Sequence, residues 1–368
     1  MSQNTALLLS GGGAKAAYQA GVLKGILSFY KQKKSPFNII CGNSAGAINS
    51  VILGCFNSEF KTGVDQLNKV WSNIKTDDIY SCTYPKVIMH ILKMLSRYIK
   101  SENAVYDGAS LLNNIPLNRL ISQNVDFNLI DKQIYSGNLK AISVSCSCYS
   151  TNKLTVFFQS KDCNPWNESR HNGQKININI KHLMASSAIP LIFPSVQIKR
   201  DYFGDGIVNQ HAPLSAPIQL GADKIFIIHL EQNKNQPKQM NRHPTSANIA
   251  SHILGKIFSD VLHTDHERLL KTNDMVQAMS AESNKTKLKK IDSLILKPSV
   301  NIDSIAKECY QDMPKAIRTL YRILGINEEN SINLIAYLLF EKSFCNKLIK
   351  TGIKDAIDNK TKIMDFIS

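Results

Sequence analysis

The chain has 368 residues, 43% of them apolar and 20% charged, and its 44 Lys and Arg against 29 Asp and Glu give a net charge of +15. That composition predicts a globular protein with a sizeable core, built as one large α/β domain with additions or as two domains. No apolar run is long enough to span a membrane, the start MSQNTALLLSGGGAKAAY lacks the basic and apolar regions of a secretory signal, and the positive charge suits an anionic partner without choosing among nucleic acid, acidic lipid and acidic protein.

Residues 5–10, TALLLS, are a short apolar run ending in glycines and read as a buried parallel strand. Residues 14–29 follow with Tyr18, Val22, Ile26 and Phe29 at helical spacing. A second apolar run at 38–41 and a helix-compatible segment at 45–56 repeat the order strand, glycine turn, helix, which is an α/β pattern. The stretch 57–135 is less regular. Residues 65–74 keep helical spacing around Leu67, Val70 and Trp71. Residues 87–99, VIMHILKMLSRYI, are apolar with Lys86, Lys93, Arg97 and Lys100 at intervals. A helix packed on the core with snorkelling lysines is the preferred reading there, and a basic amphipathic helix on a membrane surface is the alternative.

Residues 139–148 and 154–159 read as strands, with Cys146 and Cys148 pointing the same way. Ile and Asn alternate over 176–180, 224–230 reads as another buried strand and 231–247 as an exposed polar loop. From 249 the pattern is mostly helical, interrupted by one more strand at 292–298, and no internal repeat is present. The eight cysteines form no C-x-x-C pair and no zinc framework, and read as reduced, partly buried thiols.

The segment Gly42-Asn43-Ser44-Ala45-Gly46 fits Gly-x-Ser-x-Gly, the turn that holds a nucleophilic serine between a strand and a helix. This spacing arises by chance in roughly one chain of this length in ten, so its surroundings must carry the argument. The residues before it are apolar and those after it suit a helix. Gly42 and Gly46 stand where strained backbone is expected, and a helix start favours negative charge beside Ser44. Upstream, SGGGAK (10–15) opens a helix with three glycines. Alone it reads equally as an oxyanion cradle or as a dinucleotide site: Lys15 is misplaced for a Walker loop, while Gly11 and Gly13 fit G-x-G-x-x-G with Ala16 in third place. The elbow thirty residues later tips the balance towards acyl transfer.

Ser44 then needs a base. His211 and His229 lie near strand ends, but no histidine stands in a distinctive motif. Asp205, between Gly204 and Gly206, offers a carboxylate on a tight turn, and Asp107-Gly108 competes with it.

Four segments in order, LSGGGAKAAYQAGVLKGIL (9–27), GNSAG (42–46), ASSAIPLIFP (185–194) and DGIVNQHAP (205–213), resemble the patatin-like phospholipase family of bacterial type. The likeness extends through 258–273, 292–299 and 336–356 and is least over 60–135. It implies an α/β three-layer sandwich with a central, mostly parallel sheet and a helical C-terminal extension, divided into a catalytic domain at 5–230 and a mainly helical region at 248–368. It also implies a Ser–Asp dyad, with Ser44 as nucleophile and Asp205 as base. The backbone amides of Gly11, Gly12, Gly13 and Ala45 form the oxyanion hole in this reading, supported by Gly42, Gly46, Lys15 and Gly206, with no metal and no organic cofactor. Lys15 either holds the glycine loop or favours a phosphate-bearing substrate. Ala16 and Ile207 depart from the glycines, or glycine and alanine, that many members carry there.

The expected activity is that of a lipid acyl hydrolase of phospholipase A type, acting on phospholipid at an anionic membrane surface without a nucleic-acid partner. A lysophospholipase, neutral-lipid esterase or acyltransferase of the same fold is the alternative, and a nucleotide-binding α/β protein is the more distant one. A cytoplasmic protein peripherally bound to membrane is expected, with export as a bacterial effector and a protein activator left open.

Overall fold

The computed structural model describes residues 3–100, 110–231, 261–278, 289–326 and 331–368. Its frame begins with β1 (Thr5–Leu9), β2 (Ile39–Asn43) and β3 (Ala141–Cys148), which run parallel. All three are buried along their whole length, as parallel strands covered on both faces must be. β3 pairs antiparallel with β4 (Lys153–Ser160), which carries β5 (Trp166–Asn167) and β6 (His171–Lys175) at the edge. A hairpin of β7 (Val196–Ile198) and β8 (Asp201–Asp205) joins the far end of β3 through β8. Beyond β1 lie β9 (Lys224–Ile228) and β10 (Asp292–Leu296), both parallel to it.

Side chains alternate across each strand, and this divides the core. Leu7, Leu9 and Ile40 face one side, where they meet α1 (Ala17–Phe29), α2 (Ala45–Cys55) and α3 (Phe60–Asn73). Ala6, Leu8, Ile39 and Cys41 face the other, under Leu214, Leu220 and the helix Val261–Ala278. The result is an α/β sandwich with the sheet in the middle.

The C-terminal residues are woven into this frame. β10 extends the sheet, and the helix Lys342–Asp358 lies along α1. Glycines let the two backbones touch: a Cβ on Gly21 would collide with the carbonyl of Ile349, and one on Gly352 with the carbonyl of Tyr18. The Tyr18 hydroxyl donates to Asp355 Oδ2 at 2.9 Å, and the Ser299 N–H donates to the same oxygen at 2.9 Å.

The less regular middle of the sequence folds as α4 (Thr76–Ile79), α5 (Tyr84–Lys100), α6 (Ile115–Asn124) and α7 (Asn128–Tyr135), followed after the β4–β6 strands by α8 (Ile180–Ser186). The alternating Ile and Asn before α8 form no strand; Asn179 caps that helix by accepting from the Lys181 N–H. For α5, the core-packing reading holds in part: Val87 and Ile91 pack on the core. Tyr84, Ile88, Met89 and Leu92 are exposed. The eight cysteines are all buried and unpaired, and Cys146 and Cys148 share one side of the sheet. Asp107 and most of the polar 231–247 stretch lie outside the described residues. Among the described residues no helix is long and apolar enough to cross a membrane.

Candidate active site

The end of β2 makes the elbow. Ser44 stands at φ 53° and ψ −129°, a left-handed conformation that a non-glycine residue rarely holds, and α2 starts at the next residue. The strain sits on Ser44 itself rather than on the two glycines expected to absorb it. Gly42 and Gly46 have ordinary φ and are needed for their missing side chains: a Cβ on Gly42 would strike Ser50 and Gly46, and one on Gly46 the carbonyl of Leu9. The turn is pinned by a residue that sequence reasoning missed. The Ser44 N–H donates to Ser186 Oγ at 2.9 Å, and that hydroxyl donates to the Ser145 carbonyl at 2.7 Å. The start of α2 points partial positive charge at the Ser44 side chain.

Sheet register brings Asp205 to the same place. Asn43 pairs with Ser145 across β2 and β3, and Cys146 pairs with Asp205 across β3 and β8. The Asp205 carboxyl is fully buried, and that burial pushes its pKa up from 3.8 to about 7, against the opposing pull of the Ser44 hydroxyl and the Ile207 N–H. The Ile207 N–H donates to Oδ1 at 3.1 Å, while Oδ2 has no partner within hydrogen-bonding geometry. The serine therefore faces the carboxyl and influences it without closing a full hydrogen bond, an arrangement common before substrate binds. Gly206 lets the turn approach β2 and β3, since a Cβ there would lie 2.5 Å from the Ser145 carbonyl oxygen and 2.6 Å from Asn43 Oδ1. Asp107, the competing aspartate, lies outside the described residues.

The glycine loop lies against the elbow. A Cβ on Gly11 would sit 3.0 Å from Ser44 Cβ, and the N–H groups of Gly11, Gly12 and Ala45 donate to no described residue. Gly13 alone of the three has a left-handed φ, 54°, and a Cβ on it would strike the carbonyl of Tyr337. Lys15 is buried away from the cavity beside Ser44. Its ammonium lies 3.3 Å from Asn333 Oδ1, 3.7 Å from Glu231 Oε1, 3.8 Å from Asp303 Oδ1 and 4.6 Å above the Tyr337 ring. Those partners are structural, so of the two expectations for Lys15 the geometry supports the holding of the loop.

Ser44, Ala45 and Gly13 form part of the wall of a mostly apolar cavity with about 650 Å³ of empty space, its open mouth included. Ile48 and Ile52 of α2, Trp71 of α3, and Leu117 and Ile121 of α6 line it. Leu338 and Phe340 close it from the C-terminal part of the chain, held there by the Tyr80 hydroxyl, which donates to the Leu338 carbonyl at 2.8 Å. Ser187 also lines the cavity, and its buried hydroxyl has no hydrogen-bond partner.

Among the described residues no histidine lines this cavity. His182 and His229 are both buried, and burial lowers each to about 4, so both are neutral imidazoles at neutral pH. Cys41, two residues before the elbow begins its turn, faces the opposite side of the sheet, and burial pushes its thiol up to about 12. No group of metal-ligating side chains is present among the described residues.

The family model described as "Patatin-like phospholipase" matches residues 7–218. Among solved structures, VipD from Legionella pneumophila is 13% identical, with 82% of this chain and 62% of that chain covered at a TM-score of 0.31. The chain thus spans less than two thirds of the length of that protein. Full-length ExoU, solved with full-length SpcU from the type III secretion system of Pseudomonas aeruginosa, is also 13% identical, with 91% and 70% covered at a TM-score of 0.28. No curated protein matches the chain.

Proposed function

The chain belongs to the patatin-like phospholipase family, and from that premise we propose that it hydrolyses fatty-acyl esters of membrane phospholipids through Ser44 and Asp205. The observation that carries this reading is the placement of a left-handed serine against a buried carboxyl at the wall of an apolar cavity. Ser44 Oγ attacks the ester carbonyl carbon while its proton passes to the Asp205 carboxylate. The carbonyl oxygen becomes an oxyanion and takes hydrogen bonds from the free N–H groups of the glycine loop and Ala45. When it collapses, the bond to the leaving alcohol breaks, and that oxygen takes the proton back from Asp205. Water then attacks the acyl-enzyme, giving a proton to Asp205, and the fatty acid leaves as Ser44 recovers its proton. A carboxyl with a pKa near 7 is suited to both transfers, because it gains and loses a proton near neutral pH. The cavity has the apolar wall an acyl chain needs.

A fluorophosphonate probe is expected to label the wild type at Ser44 and to leave Ser44→Ala unlabelled. Hydrolysis of phospholipid vesicles should fall by about a thousandfold or more in Ser44→Ala and in Asp205→Asn, while Asp107→Asn keeps most of it. Wild-type rates in Ser44→Ala would refute the nucleophile, and loss confined to Asp107→Asn would move the base.

A further inference from the structure

We infer that the exposed side of the first half of α5 (84–92), together with Leu191, is the surface on which the protein docks to an anionic phospholipid membrane. The start of α5 presents Tyr84, Ile88, Met89 and Leu92, which are 47%, 53%, 68% and 60% exposed. Ile88, Met89 and Leu92 fall within an arc of about 100° around the helix, and Tyr84 lies at its edge beside Ile91, which with Val87 packs inward. Leu191 is 78% exposed and is held at φ 68°, a region leucine rarely adopts. An apolar side chain held out into water by a strained backbone does nothing for folding.

Hydrogen bonds join these parts into one surface. The Leu111 N–H donates to the Leu191 carbonyl at 2.8 Å, His90 Nε2 lies 2.8 Å from the Ser110 carbonyl, and the Ser81 N–H donates to the Asn113 carbonyl at 3.0 Å. The surface shares its segments with the wall of the cavity beside Ser44. Ile189 and Phe193, on either side of Leu191, line that cavity, as does Leu117, while Ile115 two residues earlier is 55% exposed. A lipid lying under α5 would have an apolar path past Leu191 to the cavity.

Charge selects the occupant. The Tyr84 hydroxyl lies 3.1 Å from Thr319 Oγ1 on the helix Lys315–Ile323, where Lys315 and Arg322 are exposed, as Lys86 is on α5. Ile323, one turn beyond Thr319, is 76% exposed. An apolar row edged by cations, on a chain of net charge +15, matches acidic head groups above acyl chains. A purely apolar protein partner would match the row and leave the cations and the path to the cavity without a role. The docking role rests on the reading of that cavity as the acyl site.

The test uses the full chain with vesicles of phosphatidylcholine alone or with one quarter phosphatidylglycerol. Binding is measured by co-sedimentation in the Ser44→Ala background, so that hydrolysis does not disturb the lipid. Binding to the anionic vesicles should fall about tenfold or more in Met89→Ser/Leu92→Ser, since two exposed apolar side chains lose their lipid contact. It should also weaken at high salt. In the Ser44-containing protein the same double variant should lose vesicle hydrolysis and keep its rate on a water-soluble short-chain ester. Tryptophan at Met89→Trp should be quenched by brominated anionic lipid. Unchanged vesicle binding by the double variant, or an unquenched Met89→Trp, overturns the proposal. So does a double variant that loses self-association while binding vesicles as before, because the occupant is then a second copy of the chain. If the wild type hydrolyses neither ester yet the vesicle results hold, docking is upheld and the catalytic reading fails.

Discussion

α1 and α5 are both apolar at helical spacing, and they end in opposite circumstances. α1 lies between the sheet and the helix Lys342–Asp358, with Tyr18, Val22 and Ile26 wholly buried. α5 buries Val87 and leaves its broader apolar row in water. The difference lies in what each helix offers a neighbour. α1 carries Gly21 and Gly25 on the side where the second helix arrives, so the backbones pack at contact distance. α5 has no glycine from 84 to 100, and the helix Lys315–Ile323 meets its outer row at Tyr84 while Ile88, Met89 and Leu92 stay exposed. Apolar spacing states which side avoids water; whether anything in the chain covers that side is decided by an element far away in sequence.

Substitutions can break or sharpen this contrast. The largest effect is expected at Gly21→Val, where a side chain would meet rigid backbone at Ile349. Stability to urea should fall by about 3 kcal/mol or more, and an unchanged unfolding curve would mean that the two helices are not held together as described.

Burial should show next in a titration. The folded pKa of Asp205, about 7, lies above its ordinary 3.8, so the folded state holds a proton that the unfolded chain releases first. The Asp205 contribution is therefore full below pH 4, declines as pH rises towards 7 and is lost above it. Denaturant unfolding at several pH values should show a fall of a few kcal/mol at most across that window, and Asp205→Asn should flatten it. Catalysis needs the ionised form and should run the other way, with kcat/KM for a soluble ester rising through an apparent pKa near 7 to a plateau. Tyr18→Phe removes one bond from the buried Asp355 while the Ser299 N–H remains, and should cost about 1–2 kcal/mol in the same assay. Leu92→Ser on the open row of α5 should change stability by less than about 0.5 kcal/mol. A loss comparable to that of Gly21→Val would show that α5 is covered after all.

The strand–turn–helix repeats of the first 56 residues were legible because local apolar runs and glycines specify them. The elbow was legible as a pattern, yet the reason for its glycines was not: close approach to Ser50 and to Leu9 depends on how α2 packs over β1. Asp205 could be singled out as an Asp-Gly turn, but its position beside Ser44 comes from the pairing of β3 with both β2 and β8. Ser186 carried no local signal for its bond to the Ser44 N–H, beyond lying within ASSAIPLIFP. Leu338 and Phe340 reach the cavity from nearly three hundred residues downstream of the elbow, and no periodicity reports that. Which side of α5 stays exposed was not legible from its lysines and apolar spacing, because it depends on elements far away in sequence.

The contact between Gly13 and Tyr337 also has a consequence in time. A chain is made from its N-terminus at about 5–20 residues per second, so the glycine loop leaves the ribosome tens of seconds before the residue that backs it. Until those late residues emerge, Lys15 lacks Asn333 and the cavity lacks the wall formed by Leu338 and Phe340. Parts made first thus wait for parts made about three hundred residues later, and a nascent chain is without a finished pocket until residues 338–340 have been made.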